Sequence, residues 1–462
     1  MGEFFIFRGW MTHHPILTVV LAAGKGTRMK SAVPKVLHKI AGRSMLGHVL
    51  SSCQELGANN IAVVVGPDME DVRAEALQQV PDARVYVQER QDGTADAVLA
   101  AREAIANHNG DVLVQYADTP LLTGGTLERL HARLDEETSV AVLGFDAVDP
   151  SSYGRLITDT DGWLQAIRED IDASADERRI TMCNSGVMAF RLDNLLGVLD
   201  RIGNANAKSE FYLTDAIQIA CSDGARAGVA VCTEEEVMGI NSREQLAVAE
   251  ALYQKRARLA VMREGATLIA PETVWFSYDT KIGRDVVIQP NVFFGTGVTV
   301  ADNVEILANC HFEQSRIGAG SRVGPFARFR PGAELGEGVR IGNFVEVKNS
   351  VLGDGAKANH LSYLGDGQVG AGSNIGAGTI FCNYDGFQKH RTELGPNVFV
   401  GSNSALVAPV KVGAGAYIGA GSVITENVSA DALALTRPTQ EERPGWAAKF
   451  RALIMRRKAK AG

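Results

Sequence analysis

Two groups of residues carry types and spacings that can do chemistry. The first opens in "LAAGKGTRM", Leu21 to Met29, where Gly24 and Gly26 allow close backbone approach to a ligand. Lys25 and Arg28 add positive charge there, and Lys35 follows in "VPKVLH". Amide hydrogens combined with cations suit phosphate oxygens. The loop is not the dinucleotide fingerprint, because Met29 stands where the third glycine belongs, and it lacks the GK[ST] ending of a P-loop. Taken alone, such a turn is as readily structural as functional. Asp118 closes the run "DVLVQYAD", and a carboxylate at that point can hold Mg2+ against a triphosphate. The plain alternative is a turn or cap before Pro120. Spacing alone says less about Glu169 and Asn241. The second group lies in "IGNFVEVKNSVLGDGAKANHLSYLGDG", Ile341 to Gly367, where Lys348, His360 and Tyr363 bring a cation, an imidazole and a phenol into one stretch.

The elements that must position these residues differ between the two halves. Up to Asn241, apolar runs alternate with helical stretches. "ILTVVLAAG", "NIAVVVGP", "ARVYVQ", "GDVLVQYAD" and "TSVAVLGFD" read as buried strands, with helices over Met45–Leu56 and Ala95–Ala106 among those between. This alternation predicts an α/β domain with a mostly parallel sheet, whose ligands gather at the carboxyl ends of the strands. Next comes a helix, 242–265. Ser242 with Gln245 forms a capping-box signature, Leu246, Val248, Ala249, Leu252, Leu259 and Met262 give an apolar stripe, and Gly265 stops it.

The remainder beats in sixes. Ile282, Ile288, Phe294, Val300 and Ile306 are six apart, as are Ile317, Val323, Phe329, Leu335, Ile341 and Val347. The beat resumes at Val369, Ile375 and Phe381, and again from Leu394 through Val400, Leu406, Val412 and Ile418 to Ile424. A period of six fits a hexapeptide β-helix with three short faces per coil and an aliphatic residue pointing inward on each. Three interruptions, after Ile306, Val347 and Phe381, are read as loops leaving the prism, and the chemistry-bearing Lys348, His360 and Tyr363 fall in or at the edge of the second.

The totals exclude several classes. The chain has 462 residues, which implies two or three domains. Its net charge of −8 argues against a nucleic-acid-binding surface, so an anionic ligand must be held by local cations. Six scattered cysteines form no CxxC pair and read as free thiols of the cytoplasm rather than a zinc site. No apolar run is long enough to span a membrane, so no stable membrane insertion is expected. The opening "MGEFFIFRGWMTHHP" lacks a signal-peptide core and reads as an extension before Met11.

"LAAGKGTRMKSAVPKVL" resembles the signature of sugar-1-phosphate nucleotidyltransferases. Joined to the hexapeptide half, the chain after about residue 15 resembles the bacterial bifunctional N-acetylglucosamine-1-phosphate uridyltransferases and glucosamine-1-phosphate N-acetyltransferases. The resemblance implies an α/β chain: a Rossmann-like nucleotidyltransferase domain at 15–241, a linker helix at 242–265, and a left-handed parallel β-helix with a basic tail at 266–462. It implies homotrimers through the β-helix, cytoplasmic location, small-molecule substrates only, and a product that feeds peptidoglycan and lipopolysaccharide precursors.

The resemblance also implies roles. In the first half, Leu21, Ala22, Ala23, Gly24, Arg28 and Lys35 match the phosphate and nucleotide loop, with Arg28 and Lys35 catalytic. Gln88, Gly93 and Thr94 match the uracil segment, and Tyr116, Ala117 and Asp118 match a motif usually written with glycine at its centre. Gly154, Glu169 and Asn184 match sugar-binding positions, and Asp118 and Asn241 match ligands of Mg2+. UTP and N-acetylglucosamine 1-phosphate are the implied substrates. In the second half, the implied reaction is acetyl transfer from acetyl-CoA to the amine of glucosamine 1-phosphate. His360 matches the general base, since an imidazole accepts a proton near neutral pH. Arg330, Lys348, Tyr363 and Asn374 match sugar-phosphate contacts, and Asn383 and Tyr384 flank the acetyl group. Ala377, Ser402, Ala420 and Arg437 match coenzyme positions. The basic tail "WAAKFRALIMRRKAKAG" reads as solvated. Two other readings compete: a nucleotidyltransferase whose β-helix only oligomerises or regulates, and an exchange subunit with a degenerate first site. The chemistry-bearing residues of the β-helix speak against the former, and Lys25, Arg28, Lys35 and Asp118 against the latter.

Overall fold

The computed structural model describes residues 14–191 and 193–461, apart from the side chains of the last two of these. The expectation about the residues before Met11 lies outside them. The chain divides into two compact units, one ending at Ala257 and the other beginning at Arg258.

The first unit is built on a nine-stranded sheet. In chain order its strands are β1 (Ile16–Leu21), β2 (Asn60–Val65), β3 (Arg84–Val87), β4 (Asp111–Tyr116), β5 (Val140–Asp146), β6 (Arg155–Thr158), β7 (Leu164–Arg168), β8 (Met182–Phe190) and β9 (Ala227–Cys232). The spatial order is β3-β2-β1-β4-β8-β5-β9-β7-β6. The stretch β3-β2-β1-β4 is parallel, whereas β8 runs antiparallel to β4 and β5. Burial explains the apolar runs. Along β1, Leu17, Val19 and Leu21 join one core cluster, while Ile16 and Val20 pack into others. A strand covered on both faces reads as a continuous hydrophobic run. The chain crosses from β1 to β2 on one side and reaches β4 on the other, so a crevice opens beyond the carboxyl ends of β1 and β4. Leu21 pairs with both Val64 and Tyr116, which sets the glycine-rich loop beside the segment leaving β4.

The helices follow local signals. Ser44 accepts a hydrogen bond from Gly47 N (2.9 Å) and caps Met45–Glu55. The second expected helix is two, Thr94–Ala100 and Arg102–Ala106, broken at Ala101. The linker helix spans Arg243–Arg263, and its capping box is formed. Ser242 Oγ accepts from Gln245 N (3.2 Å), and Gln245 Oε1 accepts from Ser242 N (3.1 Å) and Asn241 N (2.7 Å). Gly265, at φ 107°, lies just past its end. The expected apolar stripe is only partly used. Ala249 is buried with Leu246 and Leu252 packed beside it, whereas Val248 and Leu259 are exposed.

The second unit is a parallel β-helix. One face is a ten-stranded sheet of short segments from Thr267–Leu268 to Leu433–Ala434, and the other two faces form a fifteen-stranded sheet. The faces of that larger sheet are continuous because Glu346–Leu352 and Tyr363–Val369 each run around a corner. All the hexad anchors are buried except Ile282, which is half-buried.

Two of the three expected interruptions are not loops. Phe312 is buried between Ile306 and Ile317, and Leu352, Ala358 and Leu364 are buried between Val347 and Val369. The coil simply takes five-residue steps at these places, and Ala358 is a small anchor that the aliphatic pattern hides. His360 therefore ends a strand, Lys357–His360, rather than standing in an inserted loop. Only the third interruption leaves the prism, as a hairpin in which Tyr384 bridges Lys389.

Candidate active sites

The loop after β1, the start of the helix Thr94–Ala100 and the end of β4 enclose a cavity of about 320 Å3 in the first unit. Its walls include Leu21, Ala22, Ala23, Gly24, Lys25 and Lys35, together with Gln88, Gly93, Thr94, Tyr116 and Asp118. Gly26 has φ 60°, and a Cβ there would stand 2.4 Å from the Lys35 Cβ, so glycine lets the loop fold over Lys35. Lys35 is itself buried, and its ammonium donates to Asp118 Oδ2 (2.6 Å) and Asn241 Oδ1 (3.0 Å). Asn241 is held in place from both sides. Ile240 N donates to Asp118 O (2.9 Å), and Asn241 N donates to the helix-capping Gln245.

On the far wall, Gln88 donates to Gly93 O (3.0 Å) and Asp96 Oδ2 (2.8 Å), and Thr94 Oγ1 accepts from Leu213 N (2.9 Å). Gln91 and Glu210 also line the cavity, and Gln91 reaches across to Ala23 O (2.9 Å). Neither was singled out from the sequence. Ala117 turns its side chain inward. It is fully buried in the core cluster with Val20, Val36 and Leu46, so only its backbone is near the site. Arg28 is exposed on the short turn of helix Thr27–Met29 and is not part of the cavity wall.

Gly154, Glu169 and Asn184 come together next to this cavity. A Cβ on Gly154 would lie 3.5 Å from Glu169 Oε1 and 3.6 Å from the Asn184 Cβ. Burial pushes the Glu169 carboxyl up, against a hydrogen bond from Thr214 (3.3 Å). Tyr116 ties the two regions, because Gly186, beside Asn184, packs directly on its ring. Tyr212, also missed from the sequence, is buried with its hydroxyl lacking a partner among the described residues, and its phenol is pushed up by that burial with Asp172, Glu210 and Glu169 nearby. A buried hydroxyl left unpaired by protein is satisfied by an ordered water or a ligand.

Among the described residues no cluster of three or more His, Cys, Asp or Glu side chains could hold a metal. Asp118 and Asn241 nevertheless aim one oxygen each at a single cation, the Lys35 ammonium. Two converging hard oxygens fit Mg2+, which takes few protein ligands and fills its octahedron with water and phosphate.

In the second unit the residues fall on successive coils. His360 sits opposite Asn343, and its Nδ1 lies 3.0 Å from Asn343 Oδ1. That contact makes Nδ1 the donor and leaves the Nε2 lone pair available. The imidazole is exposed at one end of a 660 Å3 groove that also holds Arg322 and Arg340. Around the corner formed by Leu361 and Ser362, Tyr363 begins the next face and folds over Gly365, where a Cβ would stand 2.4 Å from the phenol oxygen.

Arg330, Lys348 and Lys389 converge. Arg330 pairs with Glu346 (3.0 Å) and Lys348 with Asp366 (3.5 Å). Lys389, on the hairpin, is pushed down by Lys348 and more weakly by Arg330, and it makes no ion pair among the described residues. An open recess of about 480 Å3 lies between Lys348, Asp366, Lys389 and Arg391. Lys389 was not found from the sequence; the signal available was a basic residue on the one true insertion. Asn383 is buried beside Tyr363 (3.4 Å), whereas Tyr384 is exposed and bonded to Gly386 O (2.6 Å).

Asn374 lies on the same face as His360, one coil on from Lys357. Ala377, Ser402 and Ala420 form a ladder at one corner, through Asn403 N to Ala377 O (2.7 Å) and Gly421 N to Ser402 O (2.8 Å). Arg437 closes it with a bond to Ala420 O (2.5 Å). Small residues in such a row leave a shallow track ending in a guanidinium.

Comparison with known proteins agrees with this division. The MobA-like NTP transferase domain matches residues 18–182, and the bacterial transferase hexapeptide (six repeats) matches 314–349 and 391–426. Over 96% of the chain, it is 60% identical to "Bifunctional protein GlmU" of Azorhizobium caulinodans and 57% identical to that of Xanthobacter autotrophicus, covering 98% of each relative. The protein of the same name from Paramagnetospirillum magneticum is 53% identical over 97% of the chain and 100% of its own length.

Proposed function

The chain belongs to the family of bifunctional GlmU proteins, and from that membership we propose how its two units divide the work. It is a bifunctional transferase of UDP-N-acetylglucosamine synthesis. The β-helix acetylates glucosamine 1-phosphate, and the α/β unit transfers UMP from UTP to the N-acetylated product, releasing pyrophosphate. The nucleotide sugar then feeds peptidoglycan and lipopolysaccharide precursors. What carries the reading is the occurrence, in separate units of one chain, of two clusters ready for phosphorylated substrates: Lys35 under the glycine-rich loop, and the Arg330–Lys348–Lys389 group.

In the α/β unit the sugar phosphate oxygen attacks the α-phosphorus of UTP in line with the departing pyrophosphate. The protein's work is alignment and charge neutralisation. The loop backbone beyond Ala22, whose own N–H is bonded to Val64 O, faces the phosphates with Lys25 and Lys35, and Gln88, Gly93 and Thr94 face the base. Arg28 swings in from its exposed turn. Gly154, Glu169, Asn184 and Tyr212 hold the sugar. Asp118 and Asn241 would hold Mg2+, which supplies charge neutralisation on the triphosphate when bound. Loss of one such charge costs about 3 kcal/mol of barrier, near a hundredfold in rate.

In the β-helix the neutral 2-amine attacks the thioester carbonyl, a C–N bond forms, and coenzyme A leaves as thiolate. His360 Nε2 takes the amine proton. Arg330, Lys348 and Lys389 hold the phosphate with Tyr363 and Asn374, and Asn383 and Tyr384 flank the acetyl group. The Ala377–Ser402–Ala420 track and Arg437 receive the coenzyme. We place the enzyme in the cytoplasm, in line with its free cysteines; no helix among the described residues is long and apolar enough to cross a membrane. The working form is a homotrimer. Support comes from an exposed ridge of Phe326, Phe344 and Leu361 on successive coils, directly beside His360 and Asn343.

Supplying UTP and acetyl-CoA separately tests the reading. Pyrophosphate should appear with UTP and N-acetylglucosamine 1-phosphate, and free thiol with acetyl-CoA and glucosamine 1-phosphate. Pyrophosphate without thiol would leave the β-helix a structural or regulatory part.

A further inference from the structure

Asp366 was not singled out by its sequence context, yet three side chains of the second cluster meet on it. Its Oδ1 accepts from Asn349 Nδ2 (2.7 Å), and its Oδ2 accepts from Asn383 Nδ2 and from the Lys348 ammonium at 3.5 Å. Its side chain is 12% exposed and that of Lys348 is 16% exposed, so water competes little for either. These partners hold the carboxyl below its ordinary value although burial acts against them. We propose that Asp366 is a positioning residue for acetyl transfer: one carboxylate that sets Lys348, for the sugar phosphate, and Asn383, beside the acetyl group, at a fixed spacing. The proposal rests on the acetyltransferase reading of this site.

The backbone explains the reach of the side chain. Lys348 pairs with Gly365 and Ser350 with Gly367, so Asn349 and Asp366 stack at the same corner of successive coils. Both are left-handed, with φ 45° and 51°, a region Asn and Asp tolerate better than most residues. The hairpin that begins at Asn383 leaves the prism one coil further on, at this same corner. The corner turns the carboxylate toward the hairpin and away from the flat wall. Asn349 occupies the preceding corner without a charge, so the turn itself does not require a carboxylate.

Two consequences follow for the substrate. The Asn383 amide nitrogen donates to Asp366 and to the Tyr363 hydroxyl, which leaves its carbonyl oxygen as an acceptor. That oxygen can receive an N–H of the attacking amine and fix the direction of its lone pair. Asp366 also balances Lys348 as Glu346 balances Arg330, and Lys389 adds a third cation that makes no ion pair among the described residues.

The test is Asp366→Asn, which keeps a residue suited to the corner and removes the charge, alone and combined with Asn383→Ala. We expect thermal stability, oligomeric state and uridylyl transfer within twofold of wild type, and kcat for acetyl transfer lowered about tenfold or more, as misplacement of reacting groups costs. Because Asp366 acts through Asn383 as well as Lys348, the loss in the double variant should fall at least about threefold short of the product of the two single losses. A merely structural Asp366 would instead multiply the two losses. Acetyl-transfer kcat within twofold of wild type in Asp366→Asn, or a multiplicative double variant, overturns the proposal. Wild-type protein that releases no thiol from acetyl-CoA overturns the acetyltransferase reading itself, and the proposal falls with it.

Discussion

The ammonium of Lys35 lies 2.6 Å from the carboxylate of Asp118 and 3.0 Å from Asn241, at the point where those two oxygens would meet a divalent cation. A metal and this ammonium cannot share the position. Metal should therefore bind the free protein weakly and enter with the nucleotide, whose phosphates draw Lys35 away. Lys35→Met should bind Mn2+ at least about fivefold more tightly than wild type without nucleotide, read from the free-ion signal in electron paramagnetic resonance. Equal affinities would show that the ammonium does not guard the position. The same variant should lose about a hundredfold in uridylyl transfer.

Division of labour predicts opposite phenotypes from two substitutions. His360→Ala should abolish thiol release while pyrophosphate release stays within twofold. Asp118→Ala should do the reverse. Parallel loss of both activities in either folded variant would contradict two independent sites.

The ridge of Phe326, Phe344 and Leu361 is costly as it stands. These residues hold φ 56°, 57° and 49°, where Asn291 and Asn309 serve on earlier coils, and each is roughly half exposed. Phe326 and Phe344 stack at 5.2 Å. Covering this ridge with a second copy would repay that cost. Phe344→Asp should give smaller particles by light scattering and at least about tenfold less acetyl transfer, with uridylyl transfer retained. An unchanged particle size would place the interface elsewhere.

Acid stability should depend on Asp111. Its buried carboxylate accepts two bonds from Arg191 (2.9 and 2.7 Å) and one from His131 (2.7 Å). Burial alone would raise its carboxyl, but these partners outweigh burial and hold it down at about 2, from 3.8. A carboxyl lower in the folded state adds stability that is complete above the unfolded value. That stability drains away as pH falls through the folded value, here between about 3.8 and about 2. Asp111→Asn should lose about 2 kcal/mol at neutral pH by urea unfolding, and should lose less than wild type on acidification across this window. An unaltered acid profile would assign the loss to packing.

Much of the site chemistry was legible because its residues sit in local patterns. The glycine-rich loop follows its strand directly, and the Ser242–Gln245 capping box that holds Asn241 is four residues long. The hexad beat located the prism, since each inward side chain is buried by its own coil's geometry. Other residues were hidden because their partners are distant in sequence. Asp366 matters through Lys348 and Asn383, Lys389 through a hairpin that folds back, and Tyr212 through a hydroxyl stranded by packing.

The sequence by itself determined the two architectures, because period and burial are local properties of strands, helices and coils. It also determined the kinds of chemical group each half carries. Only the tertiary structure decided which groups meet. It set Lys35 between Asp118 and Asn241, turned Ala117 into the core, and showed that the stretch around His360 continues the coil through the small anchor Ala358. The physical reason is that a five-residue step and a small anchor leave the backbone ladder intact while breaking the aliphatic rhythm. Hydrogen bonding between neighbouring coils, rather than the spacing of apolar letters, keeps the register there.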